Sequence, residues 1–468
     1  MVKKAKYLFG SISFLLSVFS YADSPQQIPS DMGGPRFMPW WNDYSYLKDE
    51  ENRKGTWQER FNYIPIGKNP DHYLTVGGEI RYYGQYWEHV TLGVSDKDRN
   101  DSVEQRIRVY GDLHLGNNFR AFLELSDNWE FNAEFPTPAN YSALDIQQFF
   151  IDYKLELSDD VSVTFRPGRF NMPLGSGILM GTRDGTNIWY TYEGLRTFLD
   201  INKSTQLELF DVKPTQYKRG SFEDEADDSR RLSGAYLTQK LPNKDKLDVY
   251  YYKMKHEKNI SYPDLLGTQD RNSLGLRYYG KAEKIDYDLE GVYQFGEMAH
   301  ADISAYSLMS NFGYTLDSSI KTRLGLRSII FSGDDNTQDN KLGTFEAPFP
   351  RTALFTYSGL LGLMNIVQIE PSLTMTFNPK LNFKASYGFF NKAEAEDAIY
   401  YGGSGRPLAL SKSNSKKLAN IAELQINYLP TRNLNFNLTL SHIKAEEALV
   451  AVGGENTNYA GLWAQFKF

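Results

Sequence analysis

Arginine is placed with unusual regularity in this chain. Arg81, Arg106, Arg108, Arg120, Arg166, Arg277, Arg323 and Arg327, with Lys154, Lys321 and Lys384, each alternate with apolar neighbours. Glu79, Glu104, Asp112, Glu124, Asp152, Glu156, Glu290, Glu370 and Glu423 interleave with them on the same parity. A guanidinium is a planar fork that stays charged and matches carboxylates and phosphates. Along a narrow passage, such groups would lower the barrier to an anion, and nearby acids would keep the attraction weak enough for release. On neighbouring strands of a sheet, the same residues would instead pair across the strands and stiffen the wall.

Other chemistry has little support. The chain has no cysteine, which excludes cysteine-based metal and redox sites and disulfides. The histidines are scattered, with no HExxH pair for a catalytic zinc and no GxSxG nucleophile turn. Gly402-Gly403-Ser404-Gly405 lacks the strand–helix context and the Lys-Ser/Thr of a phosphate cradle. No cofactor is expected and no enzymatic activity is assigned. The acidic runs Ser221–Arg231 and Ser332–Asn336 could bind a divalent cation such as calcium through oxygen ligands, but such runs are more often simply solvated loops.

Strands must position these charges. In 73–87, Leu74, Val76, Ile80, Tyr82 and Tyr86 share one face, and Thr75, Glu79, Arg81 and Gln85 the other. The alternation recurs in 103–115, 119–126, 149–157, 161–168, 273–278, 321–330, 367–377, 381–387, 423–428 and 434–440. The chain ends the same way, with Ala460, Leu462, Ala464, Phe466 and Phe468 on one parity. An apolar outer face and a polar inner face suit a strand between lipid and a lumen, and a Lys or Arg at mid-membrane would cost roughly 2–4 kcal/mol. The charged parity is therefore assigned to the lumen.

Short connections at 157–160, 378–380 and 429–433 read as periplasmic turns, and long ones at 127–143, 170–193, 213–230, 255–271, 332–364 and 391–417 as extracellular loops. This spacing predicts roughly 16–20 strands, in even number. The composition agrees: 15% aromatic residues without any long apolar run after the first twenty residues. Residues 1–22 read as a secretory signal, with Lys3, Lys4 and Lys6 before an apolar stretch and Ser20-Tyr21-Ala22 at the cleavage site. Residues 23–72 then form a periplasmic segment and 73–468 the barrel. The net charge is −7, which argues against nucleic acid as a partner.

The chain resembles the alginate export family of outer-membrane barrels. The likeness is carried by Asp43–Asp49 (DYSYLKD), Tyr63–Gly67 and Tyr73–Arg81. It continues through Glu104–Arg108 with Asp112–Gly116, Leu144–Asp152, Phe165–Arg169 with Gly181–Asn187, and Ser332–Asn336 followed by Phe349-Pro350. The resemblance implies an 18-stranded barrel with an Arg-lined pore that passes a polyuronate outward. It carries over Arg81, Arg106, Arg166, Arg169, Arg183 and Arg196 as pore or loop-constriction residues.

The expectation is thus an all-β, transmembrane antiparallel barrel of the bacterial outer membrane. Its lumen would be lined by Arg81, Arg106, Arg108, Arg166, Arg169, Arg183, Arg196, Arg277, Lys321, Arg323 and Arg327. Expected partners are outer-membrane lipid and lipopolysaccharide, an anionic polysaccharide and a periplasmic scaffold protein. The competing expectation is a general porin for neutral or aromatic solutes, which aromatic tracks in the lumen would favour.

Overall fold

The computed structural model describes residues 37–96, 99–263, 265–402 and 406–468. The expected signal sequence lies outside them. The long strands are β1 (His72–Trp87), β2 (Asn100–Leu115), β3 (Phe119–Phe131), β4 (Ser142–Glu156), β5 (Ser162–Phe170) and β6 (Tyr192–Asn202). They continue as β7 (Thr205–Gln216), β8 (Arg230–Lys240), β9 (Lys246–Tyr262), β10 (Leu265–Ala282), β11 (Ile285–Met298) and β12 (Ala301–Thr315). The remainder are β13 (Lys321–Phe331), β14 (Ile366–Asn378), β15 (Leu381–Asn391), β16 (Lys417–Tyr428), β17 (Leu434–Ala445) and β18 (Thr457–Lys467).

Each pairs antiparallel with its neighbour, and β18 returns to β1 through Glu79↔Lys467 to Trp87↔Tyr459. The sheet is a closed 18-strand barrel. Closure leaves no strand edge unpaired in lipid.

The side-chain parity is as expected. Ile80, Tyr82, Val109, Leu123, Phe149, Tyr153, Leu274, Leu276, Leu324, Leu326, Ile369 and Leu462 form an exposed apolar exterior. Their charged sequence neighbours turn inward and are buried. The register is fixed because a slip of one residue would exchange the two sets.

The expected turns at 157–160, 378–380 and 429–433 connect β4–β5, β14–β15 and β16–β17. One expected loop is corrected. Residues 255–271 form mostly paired strand, with β9 and β10 running on as a long hairpin to Tyr262↔Leu265 past a bulge between His256 and Ile260.

The interior holds more than wall side chains. The β5–β6 loop (171–191) and the β13–β14 loop (332–365) fold inward and meet. Gly181 N donates to Phe349 O at 2.6 Å, Phe349 N to Leu179 O at 3.2 Å, and Arg351 N to Gly177 O at 2.9 Å. Met180 and Phe349 at this junction are buried.

From the opposite end, residues 37–42 enter the barrel. Met38 is fully buried, the Phe37 ring lies 4.8 Å from Trp189, and Asn42 Nδ2 donates to the Tyr110 hydroxyl at 3.2 Å. Because the β5–β6 loop turns into the lumen, β5 and β6 are short. The wall there is completed by the β7–β8 loop, where Phe222 N donates to Leu144 O and Ala143 N to Arg219 O.

Candidate functional site

The densest cationic cluster sits where β1 and β2 face the β5–β6 loop. Arg81 and Arg106 are directly opposite in the register, as are Glu79 and Arg108. Residues opposite one another share a face, so all four project inward. Arg106 Nε donates to Glu79 Oε1 at 2.6 Å, and Arg81 Nη2 to Glu104 Oε2 at 3.2 Å.

The remaining guanidinium donors reach the loop. Arg81 Nη1 donates to Asp184 O at 3.3 Å, and its Nη2 to Thr186 O at 3.1 Å and Asn187 Oδ1 at 3.0 Å. Arg106 Nη1 donates to Thr186 O and Asn187 O, each at 3.3 Å, and Arg108 Nη2 to Asn187 O at 3.4 Å. Trp189 lays its ring 4.1 Å from the Arg108 guanidinium and 4.9 Å from that of Arg106. These guanidiniums hold loop carbonyls where solute oxygens could sit.

The second loop is held the same way. Arg327 Nη1 donates to Leu354 O at 2.6 Å and its Nη2 to Glu370 at 2.9 Å. Arg271 Nη1 donates to Thr344 O at 3.3 Å. The loops are joined by an ion pair between Arg351 and Asp184 at 3.2 Å. Beneath this junction, a small cleft is lined by Phe37, Trp41, Leu174, Met180, Asp184 and Arg351.

A third group lies toward the periplasm. Arg166 makes two 2.6 Å bonds to Asp152, and its guanidinium stacks on Phe150 at 4.0 Å and on Trp40 at 4.6 Å. Arg120 Nη2 donates to Trp40 O and to Asp112, each at 2.7 Å. Arg196, opposite Arg166, pairs with Glu208. Arg277 pairs with Asp288 at 2.6 Å. Arg323 lies across Gly313 and Gly325, where a Cβ on Gly313 would come within 2.1 Å of its Nε, and it pairs with Asp286 at 2.6 Å.

Aromatic rings join these groups around the inner wall. Tyr110, Phe122 and Phe150 stack in sequence at 5.5 and 5.1 Å, and Tyr236, Tyr250 and Tyr252 at 5.3 and 4.9 Å.

Several expectations are corrected. Arg81, Arg106, Arg108, Arg166, Arg196, Arg277 and Arg327 point inward as their parity required. They do not line an open aqueous tunnel, however, being only 1–5% exposed and each set against carboxylates. The expected excess of cations becomes a nearly balanced set of pairs.

Arg169 is not on the inner face. It stands opposite Phe149, whose ring is exposed on the outside, and opposite Glu193. It binds Glu193 at 2.6 Å and donates to Asp224 O of the β7–β8 loop at 2.8 Å. Arg183 belongs to the inward-folded loop, one of the two placements the resemblance allowed. It lies within the β5–β6 loop at φ +57°, over Tyr190 at 4.3 Å. Lys321 is exposed at the start of β13, at the turn end of the strand.

Arg271, Arg351, Trp40 and Trp189 escaped the sequence reading. Arg271 shares the odd parity of Arg277, which was a usable signal. The other three lie in irregular segments without periodicity.

The acidic runs bond to the protein itself. Asp224 accepts from Lys218 N at 2.6 Å, and Asp397 Oδ2 accepts from Asp334 N at 3.0 Å and from Thr344 Oγ1 at 2.7 Å. Burial pushes the carboxyls of Asp224 and Asp334 up to about 6, and raises that of Asp397. Among the described residues, no group of three or more His, Asp or Glu side chains could hold a metal ion.

The sequence profile for alginate export matches residues 72–462. No curated protein sequence matches the chain. Among solved structures, OccK11 (OpdR) of Pseudomonas aeruginosa is similar at a TM-score of 0.55 and 12% identity, covering 87% of this chain and 99% of its own. OccK2 (OpdF) of the same organism, in complex with glucuronate, gives 0.55 and 13%, covering 84% and 98%. OpdK of Pseudomonas aeruginosa with vanillate gives 0.52 and 11%, covering 84% and 98%. At these identities the likeness is one of fold.

Proposed function

We propose that this chain, which belongs to the alginate export family, is a gated outer-membrane channel for an anionic, hydroxyl-rich saccharide of the polyuronate type. The coarser statement, an outer-membrane channel with a porin-like barrel, is the common ground of its family and its structural neighbours. The finer reading rests on one observation. Arg81, Arg106 and Arg108 use their free edges to hold the carbonyls of Asp184, Thr186 and Asn187. Withdrawal of the loop would leave several fixed donors facing the lumen, arranged to receive carboxylate and hydroxyl oxygens. Because Glu79, Glu104 and Glu124 balance much of the charge, binding would be weak enough for transit. A solute gradient or continued synthesis would drive movement, and a periplasmic scaffold protein would feed the polymer.

A second reading is favoured by the stacked rings of Tyr110, Phe122 and Phe150 and of Tyr236, Tyr250 and Tyr252. Ring faces suit neutral sugars or aromatic solutes, as in a general porin. Liposome swelling separates the two. The first reading expects faster entry of uronates than of neutral sugars of equal size, and the reverse order supports the second.

A further inference from the structure

The segment before the barrel divides between two surroundings. Residues 37–42 lie in the lumen, whereas Trp57 and Phe61 are 50% and 45% exposed. Exposed aromatic rings on a periplasmic segment would ordinarily be a liability in water. Their neighbours explain them.

Phe466 in β18 and Phe468 just beyond it lie on the outward parity, that of Leu462, which is exposed on the outer face. The Phe468 ring covers Gly78 on the outer face of β1, where a Cβ would come within 2.7 Å of the ring. Phe466 and Phe468 are 6.1 Å apart, Phe468 and Trp57 6.4 Å, and Trp57 and Phe61 6.2 Å. The four rings form one strip that runs from the lipid-facing wall onto the N-terminal segment without a break.

The segment is fixed there by polar bonds on its other side. Gln58 Nε2 donates to Asn433 Oδ1 at 3.0 Å, and Thr75 Oγ1 donates to Asn62 O at 2.6 Å. Ile64 and Pro65 pair with Leu74 and Tyr73, taking the place that β18 vacates below Glu79.

From this continuity we infer that Trp57 and Phe61 insert into the headgroup region of the periplasmic leaflet and anchor the segment at the β1–β18 seam. The occupant of the surface is phospholipid. Trp is suited to that layer because its ring is apolar and its N–H can stay hydrated. The anchor also sets the position from which residues 37–42 reach the Arg120 and Arg166 groups.

The absence of cysteine makes the test direct. Nitroxide labels are placed singly at Trp57→Cys, Phe61→Cys and, as a water-facing reference, Lys54→Cys in full-length barrel reconstituted in phosphatidylethanolamine–phosphatidylglycerol vesicles. Collision with oxygen is compared with collision with a water-soluble nickel chelate by electron paramagnetic resonance. The oxygen-to-nickel ratio is expected to be severalfold higher at 57 and 61 than at 54. Nickel access at 57 and 61 equal to that at 54 would overturn the anchor. Exclusion of both quenchers, the signature of a protein-covered surface, would overturn it too. Phe466→Cys, on the outward face of the barrel, gives the lipid-facing reference, and resistance to heat denaturation in gel electrophoresis checks that each sample is folded.

Discussion

Arg166 is paired on one side and stacked on the other, so its removal is costly. The Arg166→Met variant leaves Asp152 buried with only the longer 3.9 Å contact to Arg120. Breaking one side of a buried pair typically costs about 3–5 kcal/mol. Urea unfolding from vesicles should show a loss of that order. Asp152→Asn combined with Arg166→Met should recover part of it, because no buried charge is then left alone.

A second residue-scale prediction concerns pH. The Asp334 carboxyl, buried beside Asp397, with Asp335 and Asp339 adding like charge, titrates near 6 in the closed loops against an ordinary value of 3.8. The closed form therefore binds the proton more tightly than the open form. Its stabilisation is full below about 3.8 and is lost as pH rises through 6. The nearby Lys392 amine, lowered to about 8 by burial, stays charged across that window. Hydrogen exchange at 394–402, corrected for intrinsic rate, should show protection falling between pH 4 and 7. Asp334→Asn should flatten that slope, and a flat slope in the unaltered protein would contradict the assignment.

At the level of elements, the two inward loops meet through backbone. A Cβ on Gly181 would lie 2.3 Å from Arg351 N, so only glycine permits this approach. The Gly181→Val variant should push the loops apart and raise single-channel conductance without lowering barrel stability, since no strand is touched. Unchanged conductance would mean that the junction does not limit the passage.

The sequence legibility of these elements follows from their solvents. Strands bounded by lipid and lumen, such as 73–87 and 103–115, must alternate, and their parity could be read directly. The hairpin above the membrane could not, because Lys253, Lys255 and Glu257 on its outer face meet water and the apolar signal lapses. Arg169 was misplaced although the count was available. It stands three residues after Arg166, an odd step that turns it to the opposite face. Trp40 and Trp189 gave no signal, because irregular segments fold inward by contacts made far along the chain.

At the scale of the whole molecule, the barrel is a closed wall around an inward-folded filling. The wall is held by eighteen paired strands, while the filling is held by apolar packing of loop side chains such as Met180, Phe349 and Phe355 against the inner wall and by hydrogen bonds from wall arginines to loop carbonyls. Such bonds can be exchanged for bonds to a solute at small net cost, because donors and acceptors are kept in balance. On the proposed reading, that exchange is what makes closure compatible with transport. It also explains why nearly balanced charge suffices, since the guanidinium donors supply geometry as well as charge.

The most direct test is single-channel recording of the Gly181→Val barrel in planar bilayers while oligouronates or neutral oligosaccharides of equal length are added. Brief current blockades by the uronates are expected, at least several times more frequent than with neutral sugars. Arg106→Gln in the same background should greatly reduce them. Equal blockade by both sugars, or uronate blockade indifferent to Arg106, would contradict a role for the wall guanidiniums in receiving the solute.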